Sequence, residues 1–176
     1  MSGTFYTMQA VNLFCNDLDP NEHKALTIAE LKLPDLTEKY QDHHAGGALV
    51  AIEVPLGVDK LEATFKLNGI DPNLLVAFGL GSQVRRTFTA YGVVMDQKTG
   101  QSIEAMAIFQ ARLGKIAPDA FQRGNLMGHE YSISSIVHYE FWFNKAPKIE
   151  WDHFTALWRI DGVDQNADAN AILRIS

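Results

Sequence analysis

The stretch Gly128 to Asn144, GHEYSISSIVHYEFWFN, is the clearest run of alternating apolar and polar residues in the chain, and it decides the fold. Because successive side chains of a β-strand point to opposite faces, it predicts one long strand with a single face on a hydrophobic core. A strand of this length is not stable alone, so the rest of the chain is expected to supply pairing strands on both edges. The predicted core face consists of the odd-numbered residues Tyr131, Ile133, Ser135, Val137, Tyr139, Phe141 and Phe143.

The composition is that of a single folded domain covering residues 1–176. Of the 176 residues, 47% are hydrophobic and 20% are charged, a balance that can bury a substantial core. No apolar window is long enough to predict a transmembrane helix. The N-terminal residues lack the basic and apolar regions of a secretory signal, so none is expected. The one cysteine, Cys15, excludes an intrachain disulfide.

The charge of the chain argues against tight binding of nucleic acid. The formal net charge is −6. Proteins that grip nucleic acid present a stripe of lysine and arginine to the phosphates, and this sequence shows no such stripe. An acidic protein can still handle DNA by repelling it.

Further strands are predicted on both sides of the long one. A glycine-ended turn at 96–100 predicts a hairpin between two of them. Ala146 and Pro147 are expected to break the chain after the long strand, and residues 161–176 are expected to form a polar tail. The predicted strands are Val11–Cys15, Ala48–Val54, Leu61–Leu67, Arg86–Met95, Gln101–Leu113 and Ile149–Ile160.

One helix is predicted, in the segment DPNLLVAFGL. Asp71 at the N-cap and Pro72 at the first helical position form a start signal. Leu75 and Phe78 are expected to face the core. Many strands with one short helix give a mainly β fold, a sandwich or barrel with the helix packed on its end.

The second face of Gln101–Leu113 is more apolar than solvent exposure requires. Its core face is expected to hold the odd-numbered residues, but Met106 and Ile108 lie on the other face. A sheet that is covered on both sides explains this pattern.

Catalytic and metal sites are not indicated. Neighbouring side chains on a strand point to opposite faces, so His43 and His44 would chelate a metal poorly, and no zinc-type spacing accompanies them. The tryptophans Trp142, Trp151 and Trp158 could stack a sugar, but such aromatics are more often core or interface residues. We therefore expect no enzyme activity, no metal and no cofactor.

Several short segments stand out in order along the chain, namely VNLF at 11–14, LPDLTEK at 33–39, AGGA at 45–48, LEATFKLNG at 61–69, the DPNLLVAFGL helix and DGVDQ at 161–165. Their order resembles the major tail tube proteins of contractile-tailed bacteriophages and the related tubes of phage-tail-like bacteriocins. Two features depart from the family pattern, since AGGA stands where a GAGM-like run is usual and NADANAILRIS replaces a basic C-terminal segment.

The resemblance implies a β-sandwich subunit that forms rings of six copies. The rings would stack into a tube in which strands of neighbouring subunits close a continuous inner β-barrel. Arms at both termini and a long loop near residues 35–47 would reach neighbouring subunits. The inter-ring contact would involve Tyr40, Gln41, Asp42, His43, His44, Ala45, Gly46 and Gly47.

The resemblance also implies the partners of the chain. They are other copies of itself, a contractile tail sheath protein, baseplate or initiator and tail terminator proteins, a tape measure protein, and phage DNA that passes through the lumen without specific binding. The expected location is the tail tube of a virion assembled in the host bacterial cytoplasm.

Two sets of residues are candidates for roles in such a tube. Acidic residues on candidate barrel strands are expected to include some that face the lumen and repel DNA, namely Glu38, Glu53 and Glu104. Large residues on the even-numbered face of the long strand are candidates for contact with a neighbouring subunit, namely Ile136, His138 and Trp142.

Three alternatives remain open on the sequence alone. The first is the tube protein of a type VI secretion system or another contractile injection machine, which shares the fold. The second is a small-ligand-binding β-barrel of lipocalin type, although the chain lacks a regular meander of similar hairpins. The third is a β-barrel enzyme, which the absence of a convergent catalytic set disfavours.

Overall fold

The computed structural model of the chain describes residues 3–15, 22–79 and 84–175. Within these ranges, nine strands form one antiparallel sheet and two strands form a separate hairpin. The strands are β1 (Tyr6–Cys15), β2 (Ile28–Lys32), β3 (Glu38–His43), β4 (Ile52–Val58), β5 (Ala63–Asn68), β6 (Arg86–Asp96), β7 (Ser102–Pro118), β8 (Gly128–Phe143), β9 (Ala146–Asp152), β10 (Leu157–Ile160) and β11 (Val163–Asp164), and the helices are α1 (Pro72–Val76) and α2 (Ala167–Leu173).

The long strand predicted from the sequence is β8, and it joins the two parts of the large sheet. The sheet runs in the order β1-β6-β7-β8-β9-β10-β11. The first half of β8 also pairs with β5, which in turn pairs with β2. β7 accompanies β8 along nearly its whole length. The two longest strands therefore belong to both layers that enclose the core.

Aromatic residues from these strands fill the core. The rings of Phe65 and Tyr131 stack with centroids 4.8 Å apart, and those of Phe109 and Tyr139 lie 6.2 Å apart. The β6–β7 hairpin is confirmed, and its turn is closed by a 2.7 Å hydrogen bond from the Gly100 amide to the Asp96 carbonyl. The mainly β fold class is likewise confirmed.

A bulge in β8 modifies the predicted alternation. Between the pairs Gln110–His138 and Arg112–Ser134, β8 advances four residues while β7 advances two. Because the bulge adds two residues, side chains alternate between the two faces in the same way before and after it. Tyr131, Ile133 and Tyr139 therefore all face the core as predicted. Inside the bulge, side chains no longer alternate between the core face and the outer face.

The bulge reverses two predicted orientations. Ser135 has a φ of 54° and is exposed, although an inward direction is predicted for it. Ile136 packs in the core with only 7% of its surface exposed. The assignment of Ile136 to the outer face is therefore wrong.

The helix α1 forms at the predicted start but is shorter than expected. The carboxylate of Asp71 accepts hydrogen bonds from the amides of Asn73 and Leu74, as an N-cap does. Leu74 is the buried residue, whereas Leu75 and Phe78 are 44% and 39% exposed. The prediction that these two residues lie in the core is wrong, because a helix of little more than one turn presents a single position to the core.

The C-terminal region is more regular than predicted. Asn144 and Lys145, both with positive φ, form a two-residue turn, so β9 begins at Ala146 where a break is predicted. The predicted strand Ile149–Ile160 is a hairpin of β9 and β10. The predicted polar tail contains β11 and a second helix, α2. In the described ranges, neither helix is long and apolar enough to cross a membrane.

Candidate functional site

The most unusual surface of the subunit is the hairpin of β3 and β4. These strands pair with each other and, within the described residues, with no other strand. Every residue from 38 to 58 is exposed. A two-stranded hairpin is at best marginally stable in water, so this one is expected to gain its stability from a partner.

The exposed side chains of the hairpin are strongly apolar on β4 and around the turn. Leu49 is fully exposed, and Val50, Ile52 and Leu56 are all more than 60% exposed. Pro55 is accommodated because β4 is an edge strand. An apolar surface of this kind is typical of an interaction site rather than of a solvated loop.

The two legs of the hairpin are joined at its base. The Asp59 amide donates a 2.8 Å hydrogen bond to the Thr37 carbonyl. The Lys39 ammonium lies 3.0 Å from the Asp59 carboxylate, and this bond, with the Lys60 amide, lowers the pKa of Asp59. The base of the hairpin is therefore closed by a backbone hydrogen bond and an ion pair between its own two legs.

The predicted contact segment Tyr40–Gly47 occupies β3 and the turn of this hairpin, and all of it is exposed. The expectation of a long loop near 35–47 is wrong, because residues 38–43 are a strand paired with 52–58. In the sequence, the alternating apolar residues Ile52, Val54 and Leu56 indicate a strand that could pair with residues 38–43. A Cβ added at Gly46 or Gly47 would meet nothing within 4 Å, so packing within the chain does not require glycine there.

A second open surface is the outer edge of β1. One side of β1 pairs with β6 over its full length. In the described parts of the chain, the other side carries an isolated bridge from Phe14 to His23 at its end. Phe5 and Met8 beside this edge are 68% and 56% exposed. An open edge of this length is a template for pairing with another chain.

The face of β8 that points away from the core carries a hydrogen-bonded network. The His138 ring lies between two carboxylates, with Nδ1 3.0 Å from Asp152 Oδ2 and Nε2 2.8 Å from Glu140 Oε1. The Trp142 indole donates a 2.7 Å hydrogen bond to Glu140. Partial burial would raise the pKa of Asp152, but hydrogen bonds from Thr155 and His138 lower it.

The network shows what the predicted interface residues do within one chain. His138 and Trp142 are half-buried and already hold partners, so they form an ordered surface rather than loose side chains. Ile136 is separated from them by its burial in the core. Their contact with a neighbouring subunit stays a prediction.

The three predicted lumen residues do not share one surface in the subunit. Glu38 and Glu53 lie on the hairpin, whereas Glu104 lies on β7 in the large sheet. All three are exposed. Their position relative to a channel depends on the assembly and stays a prediction.

No group of three or more metal-ligating side chains occurs among the residues that the structure describes. His43 and His44 both lie exposed on the hairpin.

Comparison with known proteins identifies the family. The family model for phage tail tube protein FII matches residues 7–173, which is nearly the whole chain. The chain belongs to this family. The resemblance seen in the sequence is thereby confirmed, and the chain is a phage tail tube protein. No curated protein matches the chain significantly.

Solved structures share the fold of this tail tube protein at low sequence identity. A chain in the sheath–tube complex of an extracellular contractile injection system, PVC, in its extended state superposes with a TM-score of 0.54 and 9% identity. The match covers 76% of this chain and 88% of that one. A chain in the sheath/tube terminator structure of the same system gives a TM-score of 0.51 and 8% identity, covering 71% and 88%.

Proposed function

We propose that this tail tube protein assembles into rings of six copies, and that the rings stack into the inner tube of a contractile tail. The tube would conduct DNA during ejection and would lie inside a contractile sheath. The observation that carries this proposal is the β3–β4 hairpin, whose residues 38–58 are all exposed while its side chains are largely apolar. The subunit is thus a non-enzymatic structural component.

Ring formation is proposed to use the open edges of the large sheet. Pairing of the β1 edge with a strand of the next subunit would satisfy the backbone groups that β1 leaves open. Repeated around a ring, such pairing closes a barrel and removes every edge. The half-buried Trp142 and Met106 lie on the same large sheet, and a neighbouring chain would cover them.

Stacking of rings is proposed to use the hairpin. The segment Tyr40–Gly47 and the apolar residues of β4 would contact the next ring. This contact would bury apolar side chains that one subunit leaves in water, which favours association.

The remaining partners follow from the same proposal. The outside of the tube would contact a sheath protein, its ends would contact baseplate or initiator and terminator proteins, and a tape measure protein would occupy the lumen before DNA does. Six copies of a chain with net charge −6 give a strongly negative ring. If Glu104 and other acids face the lumen, DNA would find few cations to replace its counterions and would not adhere.

A second candidate is the tube of a bacteriocin-type, type VI or extracellular injection system. The fold shared with the chains of the PVC sheath–tube and terminator structures favours it. It uses the same rings and hairpin and differs in what passes through the lumen. Particles isolated from the producing bacterium distinguish the two, because phage particles carry packaged DNA.

Negative-stain electron microscopy of the purified protein tests the assembly. Rings and hollow tubes are expected at high protein concentration. Replacing residues 40–57 by a short Gly-Ser linker should leave a folded subunit, because β3 and β4 pair only with each other within the described chain. That variant should not form tubes. Tubes of normal length from it would contradict the role of the hairpin.

A further inference from the structure

A cavity of about 730 Å³ lies between the base of the hairpin, the bulge of β8 and the β9–β10 hairpin. Its apolar wall is built from Leu61, Ile136, Trp151 and Trp158. Ile136 reaches it because the bulge at Ser135 turns this part of β8. Cavities of roughly 300–1,000 Å³ hold drug-sized groups, so this one has room for several aliphatic side chains.

Several polar side chains that line the cavity already have partners. Glu62 accepts the Ser132 hydroxyl hydrogen and lies 3.6 Å from the Lys60 ammonium. Asp152 accepts hydrogen bonds from the Phe154 and Thr155 amides. The cavity therefore offers an occupant mainly the apolar surface of its wall, which disfavours a sugar or an anion.

The chain itself carries an apolar group that lacks a place to pack. Leu49, Val50 and Ile52 follow the turn of the hairpin and are 100%, 76% and 61% exposed. Hairpin turns usually hold glycine, proline, asparagine or aspartate, because the turn faces water. Three large aliphatic residues here point to a protein surface that receives them.

We propose that the cavity of one subunit binds the apolar hairpin tip, Leu49, Val50 and Ile52, of a second copy of this chain. The inference rests on the proposed function, because it names the surface that receives the hairpin during stacking. The tip is an exposed apolar segment that matches the apolar wall of the cavity in chemistry. The cavity in turn has the size that two or three aliphatic side chains fill.

The tip of a subunit is held away from its own cavity. Val58, at the base of β4, lines the cavity. Six residue steps along β4 separate Val58 from Ile52, the nearest residue of the tip, and at about 3.4 Å per residue they span about 20 Å. The contact must therefore be made between copies.

Such a contact joins two different surfaces of the same protein. Such a contact differs from a twofold-symmetric one, in which the same surface patch of both subunits meets. It generates closed rings or open-ended stacks of copies. The length of the hairpin would set the distance between successive copies. A tube that grows by adding rings requires a contact of this polarity.

A cysteine pair tests the contact. The double variant Leu49→Cys/His153→Cys places one thiol on the tip and one on an exposed residue that lines the cavity. The native Cys15 does not interfere, because burial raises its pKa to about 12 and leaves almost no reactive thiolate. A short bismaleimide added to assembled protein should give a ladder of covalent oligomers on a denaturing gel.

Matched controls define the specificity of the ladder. Each single variant should give no species larger than a dimer. The pair Leu26→Cys/His153→Cys should give no ladder, since Leu26 is 91% exposed but belongs neither to the hairpin tip nor to the cavity lining.

The outcomes separate this inference from the proposed function. Tubes that form normally without a ladder would overturn the cavity assignment and leave the tube function standing. A ladder that stops at the dimer would overturn it as well, because two chains would then exchange hairpins reciprocally. A chain that stays monomeric at every concentration would contradict both proposals.

Discussion

Substitution of the buried Lys24 by methionine is expected to destabilise the subunit more than the same substitution at an exposed lysine. The Lys24 side chain is 8% exposed, and its ammonium lies 2.6 Å from Asp71 Oδ2 and 3.7 Å from Glu22 Oε2. The Lys24→Met variant keeps most of the side-chain volume and all backbone bonds. It leaves the Asp71 carboxylate, 17% exposed, without its cation.

The magnitude follows from this geometry. Removing one partner of a buried ion pair costs about 3–5 kcal/mol. The lower end applies here, because Asp71 keeps hydrogen bonds from the Asn73 and Leu74 amides. A loss of about 3 kcal/mol would lower the Tm of a domain of this size by about 6–12 °C. The second substitution Asp71→Asn, made in the Lys24→Met background, should restore part of the loss, because it removes the unpaired charge.

Urea denaturation and thermal scans measure the change. The matched control is Lys32→Met, since the Lys32–Asp35 pair has a similarly short N–O distance, 2.7 Å, but both side chains are more than half exposed. Exposed pairs contribute little to stability. If Lys24→Met unfolds at the same urea concentration as Lys32→Met, the Lys24–Asp71 pair does not stabilise the fold as reasoned.

Three further predictions concern assembly and reactivity. Leu49→Asp should abolish tube formation in electron microscopy and leave the monomer Tm in thermal scans unchanged. The control Leu26→Asp should change neither tube formation nor Tm. A tube built from Leu49→Asp subunits would contradict a role for the tip. Trp142→Ala should impair assembly more than monomer stability, because the half-buried indole lies on the face of β8 away from the core; a large loss of Tm with normal tubes would refute this. The Cys15 thiol, whose pKa burial raises to about 12, should react with a maleimide more than 100-fold slower in the native protein than in urea at pH 8, and equal rates would show that the thiol is accessible.

The sequence predicts the core of this fold well because one face of β8 is buried. Tyr131, Ile133 and Tyr139 alternate with polar residues, and burial on one side imposes that alternation. The bulge could not be predicted, since Ser135 adopts a positive φ without the glycine or asparagine that usually marks it. Ile136 was misplaced for that reason.

The hairpin illustrates the opposite case. A fully exposed hairpin has no buried face within the subunit, so the polar sequence of β3 predicts a loop. The resemblance to tail tube proteins placed a contact segment at Tyr40–Gly47, but it did not indicate that the apolar residues lie after the turn and on β4. Their pattern is explained by a second molecule that covers them, and the sequence of one chain does not show where that molecule binds.

The continuity of β7 and β8 through both layers has a mechanical consequence. Their twelve registered residue pairs hold the strands side by side along nearly their full length. A force along these strands loads the β7–β8 hydrogen-bond ladder in shear, so many hydrogen bonds resist it together. A force that pulls the two strands apart at one end would break the same bonds one after another. The β7–β8 pair thus gives the subunit a stiff axis, and displacement at one end of β8 is transmitted to the other through the covalent backbone.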